Sequence, residues 1–243
     1  MNAVVSTITQ LLPAEIITTD PEQITLYSQD VFTVGPPICA VVRPRNIDEV
    51  QALVRACLER GTPIVTRGGG MSYTSGYIAS APDSVLIDMA SMDAIVEVNL
   101  EDRYVTVEAG CSWQKLYEHL APLGVRTAYW GTLSGRYATV GGGLSQNSIF
   151  WGSGQSGTAA DNVLSVSVVT GKGDLLETGS AAQQHAAPFT RHFGPDLTGV
   201  LLGDCGALGI KVRATLPLVP LAGAKGYTSF AFKESGPMLR AMA

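Results

Sequence analysis

VVRPRNIDEVQALVRACLERGTPIVTRGGG, residues 41–70, changes its hydrophobic period twice and then runs into three glycines. Its opening belongs to a continuous apolar run, Ile38 to Val42, bounded by Pro36-Pro37 and Arg43-Pro44, which reads as a buried strand. A helix follows. Asn46 stands as its N-cap, Asp48 and Glu49 fall in the first turn, and Gly61 is the stop. Ile47, Val50, Leu53, Val54, Cys57 and Leu58 recur on one face of it. Pro63 to Thr66 is again strand-like and leads into Arg67-Gly68-Gly69-Gly70, so the stretch predicts a β-α-β unit ending in a glycine loop.

Upstream, residues 3–12 read as a short helix that Pro13 ends. Downstream the rhythm changes to short β-branched runs at Val85–Asp88, Ile95–Val98 and Tyr104–Glu108, with a helix from Ser112 to Leu120. Further strands are predicted at Val163–Thr170, Leu175–Thr178 and Lys211–Leu218. The fold class is therefore α+β, a small parallel piece followed by a larger, mostly antiparallel sheet. Ser180 to Pro195 reads as surface loop or short helix. After Pro220 the pattern restarts, with a strand expected at Tyr227–Phe232 and a helix start at Pro237–Met242. Three regions result: an N-terminal helix and lead-in (1–37), the main domain (38–220), and the opening of a second domain (221–243).

Three glycine clusters carry the chemistry. Arg67-Gly68-Gly69-Gly70-Met71-Ser72 follows a strand directly. Glycines there leave no Cβ in a ligand's way, and successive N–H groups make a concavity for an anion. A single triple-glycine run is more often a plain turn. Thr139-Val140-Gly141-Gly142-Gly143-Leu144-Ser145-Gln146-Asn147 is the second, placed ahead of a helix start. The third, Gly203-Asp204-Cys205-Gly206-Ala207-Leu208-Gly209-Ile210, runs into a strand. Three separated clusters, each beside a regular element, are hard to explain as turns alone. Gly152-Ser153-Gly154-Gln155-Ser156-Gly157 matches G-x-G-x-x-G, with Glu177 twenty residues on. It lacks the strand before and the helix after that a Rossmann fingerprint needs, so these glycines read as loop.

Composition sets the remaining bounds. Hydrophobic residues make up 46% of the 243 and charged residues 15%, which places the chain among well-buried globular proteins. A net charge of −5 without a basic stripe argues against a nucleic-acid partner. Cys39, Cys57, Cys111 and Cys205 have no metal-binding spacing, so no metal is expected and the four thiols read as reduced packing residues. There is no basic, apolar leader and no apolar run of about 20 residues, so the expected compartment is the cytoplasm, with no membrane span.

Taken in order, these motifs resemble the FAD-binding domain of the vanillyl-alcohol oxidase superfamily, the PCMH-type domain of glycolate oxidase subunits, D-lactate dehydrogenases and cytokinin dehydrogenases. Residues 41–70 match its first β-α-β unit and ATVGGGLSQN (138–147) its second flavin motif. DNVLSVSVVTGKGDLLETG (161–179) resembles the hairpin after it and DLTGVLLGDCGALGI (196–210) the closing motif. The resemblance spans about residues 38 to 220. It implies two α+β subdomains with FAD between them. Carried over, Gly68, Gly69, Gly70, Met71 and Ser72 would contact the pyrophosphate. Ser134, Thr139, Gly141, Gly142, Ser145 and Ile149 would line the phosphate and flavin side, and Ile210 would offer its backbone. Core packing is the alternative for Ile149 and Ile210.

Three departures matter. Many members carry, where Met71 stands, a histidine bonded covalently to the flavin; a thioether cannot form that link. No cysteine lies between 112 and 204 to make the second attachment some relatives use. The expected cofactor is therefore FAD bound non-covalently. Lys211-Val212 stand where relatives often have a hydrophobic residue and threonine.

Other residues give less. His119, His185 and His192 neighbour no glycine cluster, and no catalytic residue is identified. Trp113 and Leu116 read as core. Tyr129, Trp130, Tyr137 and Trp151, with Tyr73 and Tyr77, flank the clusters as flavin covers or, more simply, packing residues. Arg67 either helps neutralise phosphate or ends its strand with a surface contact. The implied function is the flavin half, or one subunit, of an oxidoreductase of an alcohol or 2-hydroxy acid. Its partners would be a small-molecule substrate and, where the cap domain is separate, a second subunit. The alternatives are a flavin-binding subunit or truncated product without turnover and, least favoured, an NAD-binding protein.

Overall fold

A computed structural model describes every residue except Met1, Trp130, Leu133, Trp151 and Lys225. In the first lobe, α1 (Ala3–Leu11), β1 (Ile17–Thr18) and α2 (Pro21–Tyr27) precede β2 (Ala40–Val42), α3 (Ile47–Glu59), β3 (Ile64–Arg67) and β4 (Val85–Asp88). The sheet order is β1-β2-β4-β3. β2 and β3 both run parallel to the central β4, and β1 caps the edge antiparallel to β2.

α3 forms as its sequence requires. The Asn46 side chain accepts the Glu49 N–H at 2.9 Å, and Gly61 leaves the helix at φ +61°. Val50, Leu53, Val54 and Cys57 are buried together with Val4, Val5 and Ile8 of α1 and with Ala40, Val42, Val85 and Ile87 of the sheet. The opposite sheet face is also covered, Val41 and Leu86 packing with Ile38 and Ala79. Burial on both faces is why these strands read as unbroken apolar runs.

The second lobe holds β5 (Ile95–Asn99), β6 (Tyr104–Glu108), α4 (Trp113–Leu120), β7 (Val125–Thr127), α5 (Val140–Ser145), α6 (Ser153–Ser156), β8 (Ser165–Val169), β9 (Leu175–Glu177), α7 (Leu197–Val200) and β10 (Ile210–Pro220). The order β5-β6-β10-β8-β9 is antiparallel throughout, and β7 pairs with the far end of β10. Its core gathers Trp113, Leu116, Leu120, Tyr129, Val140 and Leu144 over the sheet. β10 also reaches into the first lobe, where Ile210, Val212 and Val169 join the core of α1 and α3. The lobes thus share a wall.

Three expectations change. α2 was not foreseen; Asp20 caps it, accepting the Gln23 N–H at 3.0 Å, with Pro21 in its first turn. Tyr227–Phe232 is not a strand: it is exposed and pairs with no neighbour among the described residues, and extended backbone without a ladder is not a sheet. The helix after it, α8 (Ser235–Met242), is present but buries none of its residues. The second glycine cluster does not precede a helix; Gly141, Gly142 and Gly143 lie inside α5. Gly152 and Gly157 flank the single turn of α6, and no strand leads in among the described residues, in keeping with the rejection of a Rossmann fingerprint there.

Candidate cofactor-binding site

The glycine clusters converge. β3 ends at Arg67, and the chain turns into Gly68–Ser72 beside the N-terminal end of α5. A Cβ on Gly69 would run into the Tyr137 carbonyl, and one on Gly68 into the Thr139 hydroxyl. Close approach of backbone to backbone is what these two glycines permit. Gly70 is left-handed at φ +67°. Among the described residues, no N–H from Gly68 to Ser72 donates to a turn carbonyl or a side chain. These five consecutive amides are without a partner among the described residues.

The second cluster supplies the facing wall. Thr139 caps α5, its Oγ1 accepting the Gly142 N–H at 3.2 Å. A Cβ on Gly141 would sit 2.7 Å from Ala109 Cβ, and one on Gly143 would sit 3.0 Å from Trp113 Nε1. Gly142 differs: a Cβ there meets only Thr139 Oγ1, at 3.1 Å, and otherwise faces open space. Thr74 Oγ1 donates to Gln146 Oε1 at 3.3 Å, tying the two clusters side chain to side chain.

The third cluster closes the end. Cys205 N–H donates to the Ser145 carbonyl (2.9 Å) and Gly203 N–H to that of Leu144 (3.0 Å), docking the loop onto α5. Asp204 organises it, accepting the N–H groups of Gly206 (3.1 Å) and Leu208 (3.2 Å) and the Lys211 ammonium (2.5 Å). Both side chains of that ion pair are buried. Burial pulls the Lys211 pKa below its ordinary value against the favourable pull of Asp204. A buried ion pair of this kind serves geometry more than stability.

Together these segments line one open-mouthed cleft. Of the residues singled out from sequence, Gly68, Gly69, Gly70, Met71, Ser72, Ser134, Thr139, Gly141, Gly142, Ser145 and Ile210 all line it. Ile149 does not; it is 72% exposed on the surface. Gln146 of the second cluster and Cys205 and Gly206 of the third, not singled out one by one from the sequence, also line it, as does Lys211. The third cluster was flagged as a whole, but only contact shows which of its side chains reach the cleft. The four thiols are free, as expected, but Cys205 is exposed and not a packing residue.

The aromatic alternatives also resolve. Tyr129 is core, 1% exposed and set edge-on to Trp113 at 5.3 Å between ring centroids. Tyr73 and Tyr137 are exposed, and Trp130 and Trp151 lie outside the described residues. Tyr77 is buried and lines the cleft; its hydroxyl donates to the Gly70 carbonyl at 2.8 Å. Burial pushes its phenol above the ordinary value, against the nearby Arg67 charge, so it stays a donor at neutral pH. Arg67 is no surface contact. Its guanidinium is stacked between the rings of Tyr27 (4.6 Å) and Tyr77 (5.3 Å), and its Nε is buried without a hydrogen-bond partner among the described residues. Amides and a cation that have, among the described residues, no hydrogen-bonded or carboxylate partner, with a cradle that side chains would fill, suit a dinucleotide diphosphate. The cleft fits FAD. No group of three or more His, Cys, Asp or Glu that could hold a metal occurs among the described residues, and no described helix is long and apolar enough to cross a membrane.

Comparison with known proteins agrees. A family model described as an FAD binding domain matches residues 38–179, more than half the chain. Mitochondrial D-lactate dehydrogenase [cytochrome] of Arabidopsis thaliana is 34% identical over 178 residues, covering 73% of this chain and 30% of the relative. A glycolate oxidase subunit of Bacillus subtilis is 30% identical, covering 74% of this chain and 37% of its own length. The chain thus spans about a third of the curated relatives it matches. Among solved structures, p-cresol methylhydroxylase with substrate bound superposes with a TM-score of 0.78 at 21% identity, over 91% of this chain and 44% of that one. The chain belongs to the family of FAD binding domains, its relatives include FAD-dependent oxidases and dehydrogenases, and its fold is that of p-cresol methylhydroxylase.

Proposed function

We propose that this chain is the flavin-holding part of an oxidoreductase that takes a hydride from an alcohol or 2-hydroxy acid, with FAD bound non-covalently in the cleft. The observation that carries the reading is the run of free amides from Gly68 to Ser72 opposite the cleft-facing Gly142. Those amides would hold the diphosphate, with Ser134, Thr139 and Ser145 on the facing wall and Ile210 at the closing end. Bound FAD supplies the hydride acceptor; the protein supplies orientation and electrostatics. Met71 lines the cleft with a thioether where a histidyl link would need an imidazole, which supports a dissociable cofactor. The names of relatives, D-lactate dehydrogenase and glycolate oxidase subunit among them, support a 2-hydroxy acid as substrate.

One observation favours a second reading, a flavin-binding subunit without turnover of its own. No Asp, Glu or His lines the cleft among the described residues, and of its other candidate bases Lys211 is held in the ion pair with Asp204 and the Tyr77 hydroxyl donates to the Gly70 carbonyl, leaving Cys205. In either reading a further domain or second subunit, beyond the region 38–220, would bring the substrate side. Adding FAD to the purified chain and removing excess tests both. A yellow protein bleached anaerobically by D-lactate, glycolate or D-2-hydroxyglutarate supports the first reading. Yellow without bleaching supports the second. A colourless protein overturns both.

A further inference from the structure

The loop Gly68–Ser72 has no backbone hydrogen bonds of its own among the described residues, so its shape must be imposed from outside. Tyr77, Tyr137 and Thr139 meet it from the cleft side, and further contacts come from residues 27–35, ahead of the region the family model matches. Tyr27, the last residue of α2, stacks on the Arg67 guanidinium at 4.6 Å. That guanidinium lies against Gly70, where its Nε would be 2.8 Å from a Cβ. Tyr27 is itself fixed: its hydroxyl donates to Asp88 Oδ2 at 2.9 Å and accepts from Arg43 at 3.0 Å.

The far end of the loop is held separately. Asp30 Oδ1 accepts the N–H groups of Phe32 (2.8 Å) and Thr33 (2.6 Å), closing a turn, while Oδ2 accepts that of Ser75 (3.1 Å). Ser75 is a non-glycine residue at φ +57°, a conformation that needs such support. Its hydroxyl donates to Thr33 Oγ1 at 3.0 Å.

We propose that residues 27–35 are a brace for the diphosphate loop, with Tyr27 and Asp30 as positioning residues that preset its open amides before FAD arrives. This rests on the FAD reading of the cleft. It predicts that affinity depends on two side chains that do not touch the cofactor, because a loop ordered in advance loses less entropy on binding.

The test measures FAD dissociation constants by flavin fluorescence and, in the FAD-free chain, amide hydrogen exchange over residues 68–75. Tyr27→Leu removes the ring face and should weaken FAD about tenfold, the scale of one desolvated cation–π contact. Tyr27→Phe keeps the face and should stay within about threefold of the parent. Asp30→Asn keeps the oxygen that closes the turn but loses the acceptor for Ser75, and should weaken FAD about fivefold. Exchange over 68–75 should quicken in Tyr27→Leu and Asp30→Asn. Parent-like affinity in both variants overturns the proposal, as does weakened affinity with unchanged exchange in the free chain. Should Tyr27→Leu fail to fold, Asp30→Asn decides. A parent chain that takes up no FAD defeats the FAD reading instead, while the exchange comparison still reports on the brace.

Discussion

Gly68-Gly69-Gly70 and Gly141-Gly142-Gly143 are the same tripeptide placed on opposite walls of one cleft, yet the fold uses them differently. The first sits in a loop, its N–H groups unclaimed among the described residues, its bare Cα atoms pressed against Tyr137, Thr139 and Arg67. The second is wound into α5, where Gly143 and Gln146 donate to helix carbonyls and Gly141 to the Ala109 carbonyl. All three line the cleft, but Gly141 and Gly143 let the helix lie against Ala109 and Trp113, and Gly142 alone of the three has, Thr139 Oγ1 apart, open space where a Cβ would stand. A glycine triplet is thus no chemical signature by itself. What it means depends on whether the missing Cβ makes room for a ligand or for the protein.

That contrast can be broken at single atoms. The largest effect should come from Gly141→Val, which forces side-chain atoms into Ala109; overpacking predicts a loss of about 1–3 kcal/mol or more, read by urea denaturation of the FAD-free chain. Next is Gly69→Ala. Its Cβ displaces the loop from Tyr137 and should weaken FAD roughly a hundredfold, as two charge-assisted hydrogen bonds are lost. Gly142→Ala should separate the two roles most cleanly. Helix propensity favours alanine by up to about 1 kcal/mol, so the melting temperature should hold or rise. The new methyl intrudes on the cleft, and FAD affinity should fall about tenfold. A fall in stability with unchanged affinity would reverse the assignment of Gly142.

The smallest effect is a chemical footprint. Burial pushes the thiols of Cys39, Cys57 and Cys111 up to about 11, 12 and 11, so at neutral pH they stay protonated and slow to react. Cys205 is exposed on the cleft wall. A maleimide should therefore label one site in the native chain, and FAD should slow that labelling about fivefold or more at saturation. Equal labelling with and without FAD would place the cofactor elsewhere.

Where periodicity and capping agreed, the sequence was easy to read: α3 begins at the Asn46 cap, and both sheets fall where the β-branched runs lie. The failures have local causes. α2 is too short for its period to show, and only Asp20-Pro21 announces it. Glycine's poor helix propensity hid α5, because the close contacts with Ala109 and Trp113 that override it are tertiary. Tyr227–Phe232 has strand composition without a partner strand. Of the cleft, the glycines were legible because their spacing is local. The ion pair of Lys211 with Asp204 and the stacking of Arg67 between Tyr27 and Tyr77 were not, because they join distant segments.

The central claim is that main-chain amides of one loop hold the diphosphate of FAD. Amide hydrogen exchange of the chain with and without saturating FAD, resolved over residues 66–74, 138–147, 152–157 and 203–210, tests it most directly. The account predicts the strongest protection over 68–72, weaker protection in the other two clusters, and none at 152–157. Protection centred on 152–157, or tight binding that leaves 68–72 exchanging as in the free chain, would contradict it.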